Sequence, residues 1–98
     1  NMSTNGTEKK AYQLSIQGRV QGVGFRYSAV RAAEKYGVSG WVRNEADGSV
    51  TVFCSGDAES TRQFINWCRR GPSMAYVTDV QVQEIPYRGR YSRFSVAV

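Results

Sequence analysis

The segment from Gln21 to Arg26 has the residue types of an anion-binding loop. Gly22 and Gly24 allow a tight path and a close approach of main-chain N–H groups to a ligand. The segment follows a predicted strand and opens a predicted helix, whose first N–H groups have no intrahelical acceptor and lie at the positive end of the helix dipole. Arg26 adds a planar fork of donors that fits phosphate oxygens. We therefore predict an anion-binding site formed by Gln21, Gly22, Val23, Gly24, Phe25 and Arg26.

The residues alone leave a second interpretation of this loop open. A turn between a strand and a helix also needs small residues, and an arginine beside it can be an ordinary solvated charge. Tyr27 stands where a dinucleotide fingerprint has its third glycine, and no lysine follows as in a nucleotide P-loop. By itself, the loop indicates an anion site without identifying the anion.

The composition narrows the chemistry around such a site. The chain of 98 residues has no histidine, which excludes imidazole general-base catalysis and leaves a zinc site only unusual ligands. We expect no metal and no cofactor. The 13 basic and 8 acidic residues give a net charge of +5, which favours an anionic partner.

The two cysteines, Cys54 and Cys68, are too few for a disulfide framework, and whether they pair stays open at this point. A covalent cysteine phosphatase needs an arginine shortly after its nucleophile, but Ser60 and Met74 stand at the corresponding positions. Cys54 shares an apolar strand face with Val50 and Val52. We therefore predict that Cys54 is a small buried thiol.

Hydrophobic periodicity predicts the elements that position the loop. A first strand with Tyr12, Leu14 and Ile16 on one face ends at Gly18, and a helix spans Phe25 to Tyr36 with Gly37 as its cap. A second helix opens at Asp57, Ala58 or Glu59 and closes before Gly71 and Pro72. Further strands are predicted at 38–43, 49–55, 77–85 and 94–98.

This β-α-β-β-α-β order predicts an α+β fold, one antiparallel sheet of four to five strands with two helices on one face. Residues 1–10 contain almost no apolar side chains, so we predict a flexible N-terminal arm there and a single domain at 11–98. The sequence has no apolar run of membrane-spanning length and no signal-peptide pattern. We expect a cytoplasmic protein with no membrane partner.

Two runs of residues resemble the signatures of the acylphosphatase family. Gly18-Arg19-Val20-Gln21-Gly22-Val23-Gly24-Phe25-Arg26 resembles the first, Gly-x-Val-Gln-Gly-Val-x-Phe-Arg, at every fixed position. Gly40-Trp41-Val42-Arg43-Asn44, followed by Gly48-Ser49-Val50 and Gly56, is similar to the second. The resemblance covers residues 18–56 directly and implies a ferredoxin-like fold.

The resemblance also implies an activity and residue roles. Arg26 corresponds to the family's phosphate-binding arginine, and the amides of residues 21–26 form the rest of the cradle. Asn44 corresponds to the asparagine that orients the attacking water, although its position before Asp47-Gly48 alone would indicate a turn residue. The implied function is hydrolysis of acyl phosphates by water, without a metal or a covalent intermediate. Phe25 is expected to anchor the loop in the core, while Arg19 and Arg43 are left outside the site.

The expected partners are a small acyl phosphate and inorganic phosphate, and the expected state is a monomer. A shallow site recognises phosphate better than the acyl group, so broad acceptance of small acyl phosphates is expected. Two alternatives remain: a nucleic-acid-binding module of the same element order, disfavoured because residues 49–55 hold one aromatic and no basic residue, and a domain of a larger carbamoyl-transfer protein.

Overall fold

The structure, a computed structural model, describes residues 6–98. Its elements follow the predicted order, with both bounds of the first helix as predicted and the strand ends shifted by a few residues. The strands are β1 (Lys9–Arg19), β2 (Ser39–Asn44), β3 (Val50–Asp57), β4 (Tyr76–Ile85) and β5 (Phe94–Val96). The helices are α1 (Phe25–Tyr36) and α2 (Ala58–Arg70).

The strands form one five-stranded sheet in the order β4-β1-β3-β2-β5. Each pair from β4 to β2 is antiparallel, but β5 runs parallel to β2. The sheet is therefore mixed, and the prediction of an antiparallel sheet was wrong at this edge. Residues 86–93 carry the chain from β4 at one edge of the sheet to the opposite edge. There β5 lies beside β2, and the two strands run in the same direction.

The helices cover one face of the sheet, and the core lies between the helices and this face. From the sheet, Leu14, Ile16, Val42, Val50 and Val52 are fully buried. From the helices, the buried stripes are Phe25, Ala29, Ala32 and Ala33 on α1, and Thr61, Phe64, Ile65 and Cys68 on α2. The predicted two-layer α+β arrangement is confirmed.

Glycines end both helices as predicted. Gly37 follows α1 in the left-handed conformation, with φ of 78°, and its N–H donates to the carbonyl oxygen of Ala33 at 2.8 Å. Gly71 follows α2, and its N–H donates to Trp67 O at 2.8 Å. Within β2, a Cβ on Gly40 would collide with the carbonyl oxygen of Phe53, so this strand passes β3 closely only because the residue is glycine.

The first strand begins two residues earlier than predicted, at Lys9. Lys9 and Lys10 belong to β1, where they pair with Asp57 and Gly56, because the strand ladder continues regardless of side-chain polarity. The carbonyl oxygens of Gly6 and Glu8 accept hydrogen bonds from the first amides of α2. The predicted arm, residues 1–10, therefore overlaps β1 at Lys9 and Lys10; residues 1–5 lie outside the described residues, and the division into an arm and a domain stays a prediction.

Candidate active site

The loop between β1 and α1 leaves amides unpaired at the start of the helix. Val20 is buried at the end of β1, and Gly22 and Gly24 then take the left-handed conformation, with φ of 74° and 80°. Ser28 N–H donates to Gly24 O at 3.0 Å, so the amides before Ser28 precede the first helical hydrogen bond. The first turn contains no acidic residue. Free donors and the dipole therefore combine in a site that attracts an anion.

The two large side chains after Gly24 take different directions. Phe25 is 1% exposed, and its ring centroid lies 5.4 Å from that of Trp67, so the ring anchors the loop in the core. Only the backbone of Phe25 can therefore reach a ligand. Arg26 is exposed, and its side chain makes no hydrogen bond or ion pair within residues 6–98. Its guanidinium is available to an anion bound at the loop.

Asn44 is the last residue of β2, opposite Val50 of β3. Its Oδ1 atom is buried and has no hydrogen-bond partner, and it is the one buried side-chain nitrogen or oxygen in the described part of the chain with this property. Leaving a buried polar atom unpaired costs roughly 1–3 kcal/mol. Such an atom indicates a position that a water molecule or ligand occupies.

One cleft of about 390 Å³ brings the loop and Asn44 together. Its lining residues are Val20, Gly22, Gly24, Phe25, Arg26, Tyr27, Val30, Asn44 and Val96. Four of the lining residues, Tyr27 and the valines Val20, Val30 and Val96, were not assigned to the site from the sequence. Val96 reaches the cleft only because β5 pairs with β2.

Gln21 holds the loop against the turn that follows Asn44. Its Nε2 donates to the carbonyl oxygens of Glu45 and Ser49, at 2.7 and 2.9 Å. The phosphate-binding role predicted for Gln21 belongs to its backbone amide; its side-chain amide group holds this turn, and Gln21 does not line the cleft. Its side chain thus fixes the position of the loop relative to Asn44.

The carboxylates of this turn, Glu45 and Asp47, both accept hydrogen bonds from neighbouring residues. Asp47 Oδ1 accepts from the backbone N–H and the hydroxyl of Ser49 at 2.9 and 2.6 Å, which holds the pKa of Asp47 below its usual value. A hydrogen bond from Thr51, followed by pairing with Arg43, lowers the pKa of Glu45. Both groups stay ionised and paired.

Arg43 contributes to this turn and not to the cleft. Its Nε lies 3.0 Å from Glu45 Oε2, and its guanidinium stacks on Trp41 at 4.9 Å from the ring centroid. In β2 its side chain alternates with those of Val42 and Asn44, so it points to the sheet face that the helices leave open. Arg19 is exposed at the end of β1 and does not line the cleft either.

Neither cysteine is available for chemistry. Both are free and buried, Cys54 on β3 and Cys68 on α2. Burial raises the pKa of Cys54 to about 12, and burial also raises the pKa of Cys68 well above its usual value. The predicted burial of Cys54 is confirmed, Cys68 is buried as well, and neither is a thiolate nucleophile.

Residues 6–98 also bear on two other kinds of site. They contain no group of three or more His, Cys, Asp or Glu side chains placed to hold a metal ion. None of the helices in this part of the chain has the length and apolarity to cross a membrane.

Comparison with known proteins identifies the family of this chain. The acylphosphatase family model matches residues 12–96. An acylphosphatase of Methylococcus capsulatus is 46% identical over 87 residues, which cover 89% of this chain and 95% of the relative. A crystal structure of acylphosphatase from Bacillus subtilis matches with a TM-score of 0.87 and 35% identity, over 91% of this chain and 99% of that one. Full-length HypF matches with a TM-score of 0.84 and 29% identity, over 93% of this chain but 12% of its own.

The fold and the cleft define a small ferredoxin-like α+β protein whose helix N-terminus can hold a phosphate-sized anion. Together with these matches, they show that the chain belongs to the acylphosphatase family. The predicted family, fold class and hydrolase assignment are confirmed. The matches at nearly full length do not favour the nucleic-acid-binding or carbamoyl-transfer alternatives.

The role of Gln21 in joining the loop to the turn can be tested by stability. Gln21→Ala removes two hydrogen bonds, although the carbonyl oxygens of Glu45 and Ser49 each keep one backbone donor, so we expect the free energy of unfolding in urea to fall by about 1–2 kcal/mol. Gln13→Ala, a change at an exposed glutamine of β1, should shift it by less than about 0.5 kcal/mol. Equal stability of the two variants would contradict this role.

The thiols should be protected as long as the protein is folded. At mildly alkaline pH, a disulfide reagent such as Ellman's should modify neither cysteine in the native protein and both in guanidinium, because burial disfavours both thiolates. Rapid modification of the native protein would show that one of the thiols is accessible and ionisable.

Proposed function

We propose that the chain cleaves the carboxyl–phosphate bond of acyl phosphates by direct attack of water on a phosphoryl group bound in the cleft, with no metal and no covalent intermediate. The observation that carries this proposal is the unpartnered buried Oδ1 of Asn44, which lines the same cleft as Arg26 and the start of α1. The products are a carboxylate and inorganic phosphate. The cytoplasmic location and monomeric state stay predictions from the sequence.

The start of α1 binds the phosphoryl group. Phosphoryl transfer needs little covalent assistance from a protein, and depends on position and on charge stabilisation at the equatorial oxygens. The amides of residues 22–26 supply donors fixed before the substrate arrives, and Arg26 supplies a full positive charge. The absence of an acid from the first turn of α1 leaves this charge uncompensated.

Asn44 holds the nucleophile. Its Oδ1, the one buried side-chain oxygen or nitrogen of the described residues without a partner, accepts a hydrogen bond from water, and its amide group can donate to a phosphate oxygen. Water held in this way attacks phosphorus in line with the leaving carboxylate, without the loss of entropy that a free water molecule would incur.

The proton of the attacking water goes to an oxygen of the phosphoryl group. An asparagine amide is not a base at neutral pH, and the chain contains no histidine. One P–O bond forms to water and one breaks to the acyl oxygen, which leaves with the bonding electrons as a carboxylate. Because a carboxylate is a good leaving group, the reaction needs no general acid.

Two substitutions test this assignment. Asn44→Ala should lower kcat by about 10²–10³, the usual effect of losing one preorganised polar group, with a smaller change in KM. Arg26→Ala should lower kcat/KM by a larger factor than Asn44→Ala, because it removes a charge and a bidentate contact together. It should also weaken competitive inhibition by phosphate. Activity on an aryl acyl phosphate is measured with EDTA present throughout.

Matched controls come from the same chain. Arg31 lies one turn further along α1 and outside the cleft, and Asn66 is exposed on α2. Arg31→Ala and Asn66→Ala should keep wild-type activity. Retention of most activity in both Arg26→Ala and Asn44→Ala would overturn the proposed site, and loss of wild-type activity in EDTA would overturn its metal independence.

A further inference from the structure

The cleft has one charged side and one apolar side. The charged side consists of Arg26 and the backbone of the loop, and Asn44 stands at the end of β2. The apolar side consists of three valine side chains: Val20 is buried, Val30 is half-buried on α1, and Val96 is 43% exposed on β5. An acyl phosphate has the same division, with a charged phosphate at one end and a carbon chain at the other.

A larger groove of about 930 Å³ adjoins the cleft at Val30 and Val96, which line both. It runs between α1 and the edge strand β5, over the buried Ala33 of the helix and Phe94 of the strand, and its lining also includes polar side chains, among them Ser39, Ser92 and Ser95. An acyl chain that leaves the cleft on this side therefore first passes over Val30 and Val96.

Charged residues limit the length of this path. Glu34 follows Val30 by one helical turn, about 6 Å along the axis. On the strand side, Arg93 precedes Val96 by about 10 Å of extended chain. Both line the groove, and neither makes an ion pair or hydrogen bond through its side chain within residues 6–98. A straight carbon chain of about six atoms fits the apolar stretch between the cleft and these charges.

We infer that the groove between α1 and β5 is a subsite for the acyl group, and that it makes the enzyme select uncharged, apolar acyl groups of about six carbons. This inference rests on the proposed function, and it replaces the expectation that small acyl phosphates are accepted broadly. Val30 and Val96 are the specificity-determining residues, because they lie where the acyl chain leaves the cleft.

The inference is tested with acetyl, butyryl and hexanoyl phosphate, whose carboxylate leaving groups have nearly equal basicity. For the wild-type chain, kcat/KM should rise about twofold per added methylene, less than full burial would give, because the groove is open on one side. The rise should lie mainly in KM, since contacts with the chain form in the ground state as well as in the transition state.

Val30→Thr and Val96→Thr keep the side-chain shape and replace a methyl group by a hydroxyl. Each should lower the ratio of kcat/KM for hexanoyl over acetyl phosphate by about fivefold. Val82→Thr is the matched control, because Val82 is 38% exposed on the other edge strand and lines neither cavity; it should keep the wild-type ratio. Circular dichroism melting curves check that each variant is folded.

Equal kcat/KM for the three substrates in the wild-type chain would overturn the subsite, whatever the variants do. A chain-length preference that persists unchanged in both Val30→Thr and Val96→Thr would place the acyl group elsewhere and overturn it as well. If none of the three substrates is hydrolysed, the proposed function fails instead, so the two failures are distinguishable.

Discussion

The site depends on a fixed distance between the open start of α1 and the end of β2. Within the described residues, the first supplies amide donors with no partner and the second supplies an acceptor with no partner, so an anion and a water molecule placed between them satisfy both. Gln21 sets this spacing, because its side chain joins the loop to both sides of the turn after Asn44. Phe25 secures the loop from below, with its ring in the core against Trp67.

The electrostatics of the turn support the same arrangement. Glu45 and Asp47 lie directly after Asn44, where free carboxylates would repel a phosphate. The structure pairs both of them within the turn, Glu45 with Thr51 and Arg43, and Asp47 with Ser49. Arg26 has no acidic partner in the described part of the chain. The local field at the cleft therefore stays positive despite two nearby acids, and the net charge of +5 acts in the same direction.

Features with a local chemical signal could be predicted from the sequence. The bounds of α1 were predicted correctly, because Gly24 and Gly37 mark its ends. The buried face of β3 was predicted as well, because Val50, Val52 and Cys54 alternate with other residues. Asn44 was found only through its resemblance to a family motif, since its local pattern indicates a turn.

Features that depend on which segments meet in space could not be predicted. The parallel pairing of β5 with β2, the entry of Val96 into the cleft and the two hydrogen bonds of Gln21 have no local signature. Each joins residues far apart in the chain. The acyl subsite depends on the first two, so no inspection of the loop alone would have revealed it.

The central claim is that phosphate binds between the start of α1 and Asn44, and an NMR titration of ¹⁵N-labelled protein with inorganic phosphate tests it most directly. The amide signals of residues 22–26 and the side-chain amide of Asn44 should shift together along one saturable curve, with little change on the open face of the sheet. Saturable shifts confined to another surface, or a loop that responds while Asn44 does not, would contradict the account.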